Sequence, residues 1–279
     1  MIKQLRITVL ADNSVGSTDM IAEHGLSLLI EADDRRILFD TGQGRVLLEN
    51  LCALGLSLDP LDAVVLSHGH YDHTGGLQTV LSQSHPATLF VHPAALERKF
   101  VKHERTPCRS IGIPAPSREA LNGVLDRVVW TRAMKQVVPG VWCTGEIPRS
   151  ITNEVGESLL FLDEEGLVPD PLIDDQALLI ETTRGLVIVA GCAHAGVVNT
   201  VDHVCRLAGT HEIHALMGGF HLGLASHRRL EEIGSALGRR NFQILAPCHC
   251  TGMGAQAYLR ARFHSLVRDV GAGSSLVFE

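Results

Sequence analysis

The chain of 279 residues contains no apolar run approaching the ~18 residues of a membrane-spanning helix, so no membrane partner is expected. It also lacks a basic stripe. Lys and Arg number 24 against 31 Asp and Glu, a net charge of −7, and the pairs Arg35-Arg36, Arg228-Arg229 and Arg239-Arg240 stand isolated. A nucleic-acid footprint needs clustered cations, so nucleic acid is not an expected partner either. A secretory signal is not apparent: residues 1–10 alternate polar and apolar and read as a first strand. The seven cysteines are an odd number, and two of them flank His249, which points to reduced thiols in a cytoplasm rather than a disulfide scaffold. The Gly-x-Ser-x-Gly elbow, the Walker phosphate loop and the dinucleotide Gly-x-Gly-x-x-Gly fingerprint are missing as well. What remains is a globular chain, 45% hydrophobic, long enough for one large domain.

Against these absences stands a concentration of ligands. His68, His70, Asp72 and His73 fall within six residues, directly behind the apolar stretch 62–66, which reads as a short buried strand. A loop leaving that strand can aim His68 and His70 at one metal while Asp72 and His73 face a second. Imidazole and carboxylate donors suit zinc first, with manganese or iron as alternatives, so one or two divalent ions are expected. One loop cannot close two coordination shells. His194 and His249 each follow an apolar strand, at 186–190 and 242–246; His194 would complete the His68/His70 set and His249 the Asp72/His73 set. His221 follows another strand, behind Gly218 and Gly219, and is a candidate general acid, substrate contact or alternative ligand. The remaining histidines, His24 and His92 among them, have no convergent context.

Periodicity organises the rest. Segments 26–30 and 36–39 form a hairpin, 46–56 and 77–81 are helical, and 88–91 is a strand. Residues 93–132 are irregular and proline-punctuated. The whole stretch 93–157 reads as an insertion that covers the site and sets specificity. A second hairpin spans 177–181 and 186–190. Helices at 197–207, 228–239 and 258–267 then alternate with strands at 212–217 and 242–246, so that two similar halves could fold face to face.

The segment His68-Gly69-His70-Tyr71-Asp72-His73 resembles the signature of the metallo-β-lactamase superfamily. Glu23-His24-Gly25-Leu26-Ser27, Phe39-Asp40-Thr41-Gly42, Thr144-Gly145-Glu146-Ile147-Pro148-Arg149, Gly191-Cys192-Ala193-His194, Gly218-Gly219-Phe220-His221 and Pro247-Cys248-His249-Cys250-Thr251-Gly252 extend the likeness. They resemble a branch of metal-dependent hydrolases related to the archaeal dihydropterin-ribofuranosylaminobenzene-phosphate synthase. The resemblance implies an α/β fold, a four-layer αββα sandwich in one domain spanning residues 1–279. It also implies a departure: most members place a bridging Asp where this chain has Gly191 and Cys192. Cys192 is then a thiolate ligand or a small buried residue, and Asp174 or Asp175 either supplies a carboxylate or caps a turn. Cys248 and Cys250 read as packing residues, and Asp40 as the support of a ligand histidine.

Three functions follow. A dinuclear site can hydrolyse an ester or phosphoester with metal-activated water, Asp72 taking up a proton. The branch resemblance implies instead a transferase that condenses a dihydropterin diphosphate with an aminobenzene ribotide. A non-catalytic metal sensor is the third. A redox role is not expected, because oxygen-reducing relatives carry an acidic residue where His70 stands. The partner is a small, anionic molecule, with Arg149, and secondarily Arg109, as its phosphate contact.

Overall fold

The computed structural model describes residues 1–84, 87–102, 107–151 and 159–278. His85, His103 and residues 152–157 of the expected covering segment lie outside them. The chain opens with β1 (Leu5–Ala11), β2 (Ser27–Ala32), β3 (Arg35–Phe39), α1 (Leu47–Ala53), β4 (Ala63–Val65), α2 (Tyr71–Thr74), α3 (Leu77–Gln83) and β5 (Thr88–Val91). The short strands β6 (Phe100–Val101) and β7 (Arg109–Ser110) follow, then α4 (Ala115–Asn122) and β8 (Val128–Trp130). Next come β9 (Ala133–Val138), β10 (Val141–Gly145), β11 (Leu160–Phe161), β12 (Ala177–Thr182), β13 (Gly185–Ala190) and α5 (Val197–Ala208). The chain closes with β14 (Ile213–Gly219), α6 (His227–Leu237), β15 (Ile244–Cys248), α7 (Met253–Phe263) and β16 (Ser275–Phe278).

The strands make a sheet ordered β16-β1-β2-β3-β4-β5-β8, a second ordered β15-β14-β13-β12-β10-β9, and a small one ordered β11-β6-β7. In both large sheets an antiparallel hairpin leads into parallel strands: β3, β4, β5 and β8 run parallel, as do β13, β14 and β15. Side-chain alternation explains the layers. Leu28, Ile30, Ile37 and Phe39 point inward and meet Leu178, Ile180, Val187 and Val189 of the facing sheet. The intervening Leu29 and Leu38 point outward to Leu47 and Leu51 of α1, Leu77 and Val80 of α3 and Leu121 of α4. Leu179 and Ile188 likewise pack on Val201, Val204, Ile233, Leu237 and Leu259 of α5, α6 and α7. The result is the αββα sandwich. Among the described residues no helix is long and apolar enough to cross a membrane.

Several elements differ from the sequence reading. The stretch 93–157 is not loop throughout, for β8 is an edge of the first sheet and β9 and β10 belong to the second. Their half-exposed edge positions blur the apolar alternation. The helix expected at 258–267 runs from Met253 to Phe263, its first turn hidden because only Ala255 and Leu259 are buried. The unexpected β16 returns to pair with β1 and buries only Phe278.

Candidate metal centre

Six loops at the C-terminal ends of strands meet at one edge of the sandwich. β4 leads to His68–His73, β13 to Cys192 and His194, β14 to His221, and β15 to His249 and Cys250, while β1 and β3 deliver Asp12, Asn13 and Asp40. His68 Nε2 lies 2.9 Å from His70 Nδ1, and the His194 ring centroid sits 4.8 Å from His68 and 4.9 Å from His70. On the other side, His73 Nε2 lies 3.1 Å from both His249 Nε2 and Cys192 Sγ. Asp72 Oδ2 is 3.7 Å from His73 Nε2 and 3.6 Å from His249 Nε2. His194 thus sits with His68 and His70, and His249 with Asp72 and His73.

The surrounding hydrogen bonds fix which nitrogen of each ring faces the cleft. Ser67 Oγ donates to Asp40 Oδ2 at 2.6 Å, so it accepts from His68 Nδ1 at 2.9 Å and leaves His68 Nε2 as a lone pair. His73 Nδ1 donates to Asp40 Oδ2 at 2.7 Å, which frees its Nε2 in the same way. His249 Nδ1 donates to Asn13 Oδ1 at 2.8 Å, and the His249 amide to Asp12 Oδ1 at 2.8 Å. Such partners orient metal-binding imidazoles and raise their basicity. Asp40, Ala193, His221 and His249 all adopt left-handed φ values between 49° and 59°, strain of the kind that collects where a site over-determines its backbone.

The donors fit a metal. His70 Nε2 and His194 Nε2 are buried with no hydrogen-bond partner among the described residues, a costly state that a cation nearby would help offset. Ligand atoms of His68, Cys192 and His194 lie within 4.8 Å of one another, as do those of His73, Cys192 and His249, and those of His24, Asp72 and His249. Burial favours neutral imidazole, the ligating form: it lowers His68 and His194 well below the usual range, His70 to about 3 and His249 to about 4. His73 differs. Burial lowers it too, but Asp40 and Asp72 outweigh that and raise it to about 9, so a cation at this position would take the proton's place. Replacing Asp40 with Asn is expected to weaken metal affinity about 10- to 100-fold while circular dichroism is unchanged. Competition with a chromophoric chelator measures this, and unaltered affinity would remove the role given to Asp40.

Residues 21–200 match the profile of the metallo-beta-lactamase superfamily. The chain belongs to this superfamily. It is 30% identical, over 99% of its length and 98% of the relative's, to 7,8-dihydropterin-6-methyl-4-(beta-D-ribofuranosyl)-aminobenzene-5'-phosphate synthase of Methanocaldococcus jannaschii. Its fold matches that of Tm1679, described as a metal-dependent hydrolase of the beta-lactamase superfamily, with a TM-score of 0.79, 30% identity and 98% of each chain covered. A diphosphatase of the PhnP family shares the fold alone, with a TM-score of 0.54 and 15% identity over 100% of this chain and 98% of its own.

Within this superfamily member, the place of the missing bridging carboxylate is resolved geometrically. A side chain at position 191 would run into Ser67 Oγ at 2.1 Å, so Gly191 carries no donor and Cys192 faces the histidines instead. Asp174 is engaged elsewhere, with Lys99 Nζ at 3.0 Å and the Gly69 amide at 2.8 Å. Asp175 accepts from the Ala195 amide at 2.8 Å, and burial pushes its carboxyl up to about 6. Gly218 serves backbone packing, not ligand approach: a Cβ there would meet Ala190 O at 2.0 Å. Arg149 is half-buried, donates to Leu172 O at 3.0 Å, and does not line the cleft. Arg109 does line it, with its guanidinium 5.2 Å above the Tyr71 ring. His24, read from the sequence as a histidine without convergent context, joins the cleft: its Nε2 reaches Asp72 Oδ2 at 3.2 Å while Asn13 Nδ2 holds its Nδ1 at 3.1 Å. Cys250 is likewise more than a packing residue, since it lines the cleft beside His221, whereas Cys248 is fully buried in the core.

Proposed function

We propose that the protein is a metal-dependent hydrolase of a small, anionic phosphoester. The observation that carries this reading is the convergence of two donor sets, His68/His70/His194 and Asp72/His73/His249, with Cys192 beside both. These residues would hold divalent ions, zinc first among candidates, which would supply Lewis acidity and activate water. The chain's own residues do the rest. Asp72, hydrogen-bonded by His24, is placed to accept a proton. His221, solvent-exposed with its ring 4.3 Å from that of His194, is placed to donate one to the leaving oxygen. The cleft of about 240 Å³ has an apolar wall of Val101, Ile111, Leu159, Leu160 and Leu224, with Arg109 over Tyr71 as its cation. That wall suits a phosphate joined to an apolar or planar body.

A transferase is the second reading, supported by the synthase relative that the chain matches over 99% of its length. Both reactions handle phosphate at the same wall. Zinc- and manganese-loaded protein incubated with a phosphodiester panel, and separately with a dihydropterin diphosphate plus an aminobenzene ribotide, separates them. Alcohol release from a phosphodiester supports hydrolysis. Pyrophosphate release that requires both the dihydropterin diphosphate and the aminobenzene ribotide supports the transferase. No turnover in either assay would overturn both and leave the non-catalytic sensor. In the productive assay, Arg109→Ala is expected to raise KM about 10- to 100-fold, the loss of one charge-assisted contact. Arg149→Ala should leave KM unchanged; the reverse pattern would return the phosphate contact to Arg149.

A further inference from the structure

A third donor set borders the two hydrolytic ones. Cys192, His221 and Cys250 present two sulfurs and a ring nitrogen within 4.8 Å of one another, from the loops after β13, β14 and β15. Their approach is built into the backbone. Cys250 Sγ donates to Cys192 O at 3.7 Å, and a side chain at Gly219 would strike Cys250 Sγ at 2.6 Å and crowd Cys192 Cα at 3.3 Å. Both thiols are free. The set is graded in exposure, with Cys192 buried, Cys250 half-buried and His221 exposed. A second lobe of the cleft, about 320 Å³, abuts His221 and Cys250 and gives an ion a way in.

Two thiols and one imidazole are softer donors than the histidines and carboxylate beside them, and soft ligands select thiophilic ions. We propose that Cys192, His221 and Cys250 bind a thiophilic d10 cation, cadmium or copper(I), at the mouth of the cleft. Cys192 also belongs to the His68/His194 and His73/His249 groups. An ion in the third set therefore draws this thiolate away from the hydrolytic centre and inhibits it. Cys250 gives its proton to the buffer as its sulfur–metal bond forms, while the Cys192 thiolate exchanges its bond in the hydrolytic centre for one to the new ion, so no oxidant or reductant enters.

The test titrates zinc-loaded, full-length protein with cadmium and follows the ultraviolet sulfur-to-cadmium charge-transfer absorption together with metal counts by mass spectrometry. Wild-type protein should bind cadmium with a two-thiolate absorption. Cys250→Ser should lose one thiolate's share of it and need at least about tenfold more cadmium for half-saturation. His221→Asn should weaken the absorption titration as well. In wild-type protein, cadmium should also protect Cys250 from alkylation by iodoacetamide, a readout that requires no variant to fold. Equal absorption and equal cadmium affinity in Cys250→Ser, or unprotected Cys250, would overturn the proposal. These signals need no substrate, so failure of the hydrolysis assays leaves them standing, and their failure leaves the hydrolase reading untouched.

Discussion

Replacing Lys99 with methionine is expected to cost about 3–5 kcal/mol of folding stability, out of the ~5–15 kcal/mol typical of a domain. Lys99 is only 1% exposed, and its Nζ donates to Asp170 Oδ2 at 2.8 Å and to Asp174 Oδ1 at 3.0 Å. Methionine fills a similar volume but leaves two buried carboxylates without a counter-charge. The lysine also ties the cleft wall to the metal loop. Asp174 Oδ2 accepts from the Gly69 amide, between His68 and His70, at 2.8 Å. Lys99 O accepts from Ile111 N at 2.8 Å, and Ile111 O from Tyr71 N at 2.8 Å. The cost should depend on pH with a definite sign. Burial pushes the Asp174 carboxyl up, but Lys99 outweighs it and holds the group below its ordinary 3.8. A depressed folded pKa gives stability that is present above that value and lost as pH falls through the lower, folded one. The deficit of Lys99→Met should therefore be full at neutral pH and shrink in acid. Urea denaturation at neutral and acid pH measures this, and an unchanged midpoint at neutral pH would sink the argument.

Much of the centre was legible because its residues are local or sit at strand ends. His68, His70, Asp72 and His73 share one loop, and His194 and His249 each follow a strand visible as an apolar run. The sheets were legible for the same reason, since Ile37 and Phe39 face one core and Leu38 the other. What escaped depends on contacts that no period encodes. Cys250 reads as a packing residue only if a strand alternation is carried on past His249. The strand stops at Cys248 and the chain turns into a 3₁₀ segment, His249–Thr251, so the period of two no longer applies. His24 is brought in by Asn13, which holds it across 11 residues and His249 across 236 residues of sequence. Arg109 ranks only after Arg149 in the sequence, because it sits on a two-residue strand too short to show a pattern. The ligand role left open for Asp174 is pre-empted by Lys99, whose burial is unusual for a lysine and carries no sequence signal.

Asp72→Ala is expected to lower turnover by about 10²- to 10⁴-fold with the fold intact. The Asp72 carboxylate faces His24 at 3.2 Å, His249 at 3.6 Å and His73 at 3.7 Å. Burial would raise its pKa, yet the facing histidines hold it well below the ordinary carboxylate range, so it is charged throughout the working pH range. Its backbone contribution to the fold, a bond from Leu26 N to Asp72 O at 3.1 Å, survives truncation. The side chain is therefore dispensable for folding and central to the cleft. Alanine removes both the negative charge and the acceptor that His24 holds. Asp72→Asn keeps the shape and removes only the charge, so it separates the two contributions. If charge is what matters, both variants should lose turnover and metal content together, with thermal midpoints near wild type in the metal-free state. Retention of most activity by Asp72→Ala would end the assignment. Loss of one metal equivalent with unchanged turnover would end it too, because Asp72 would then hold an ion that the reaction does not need.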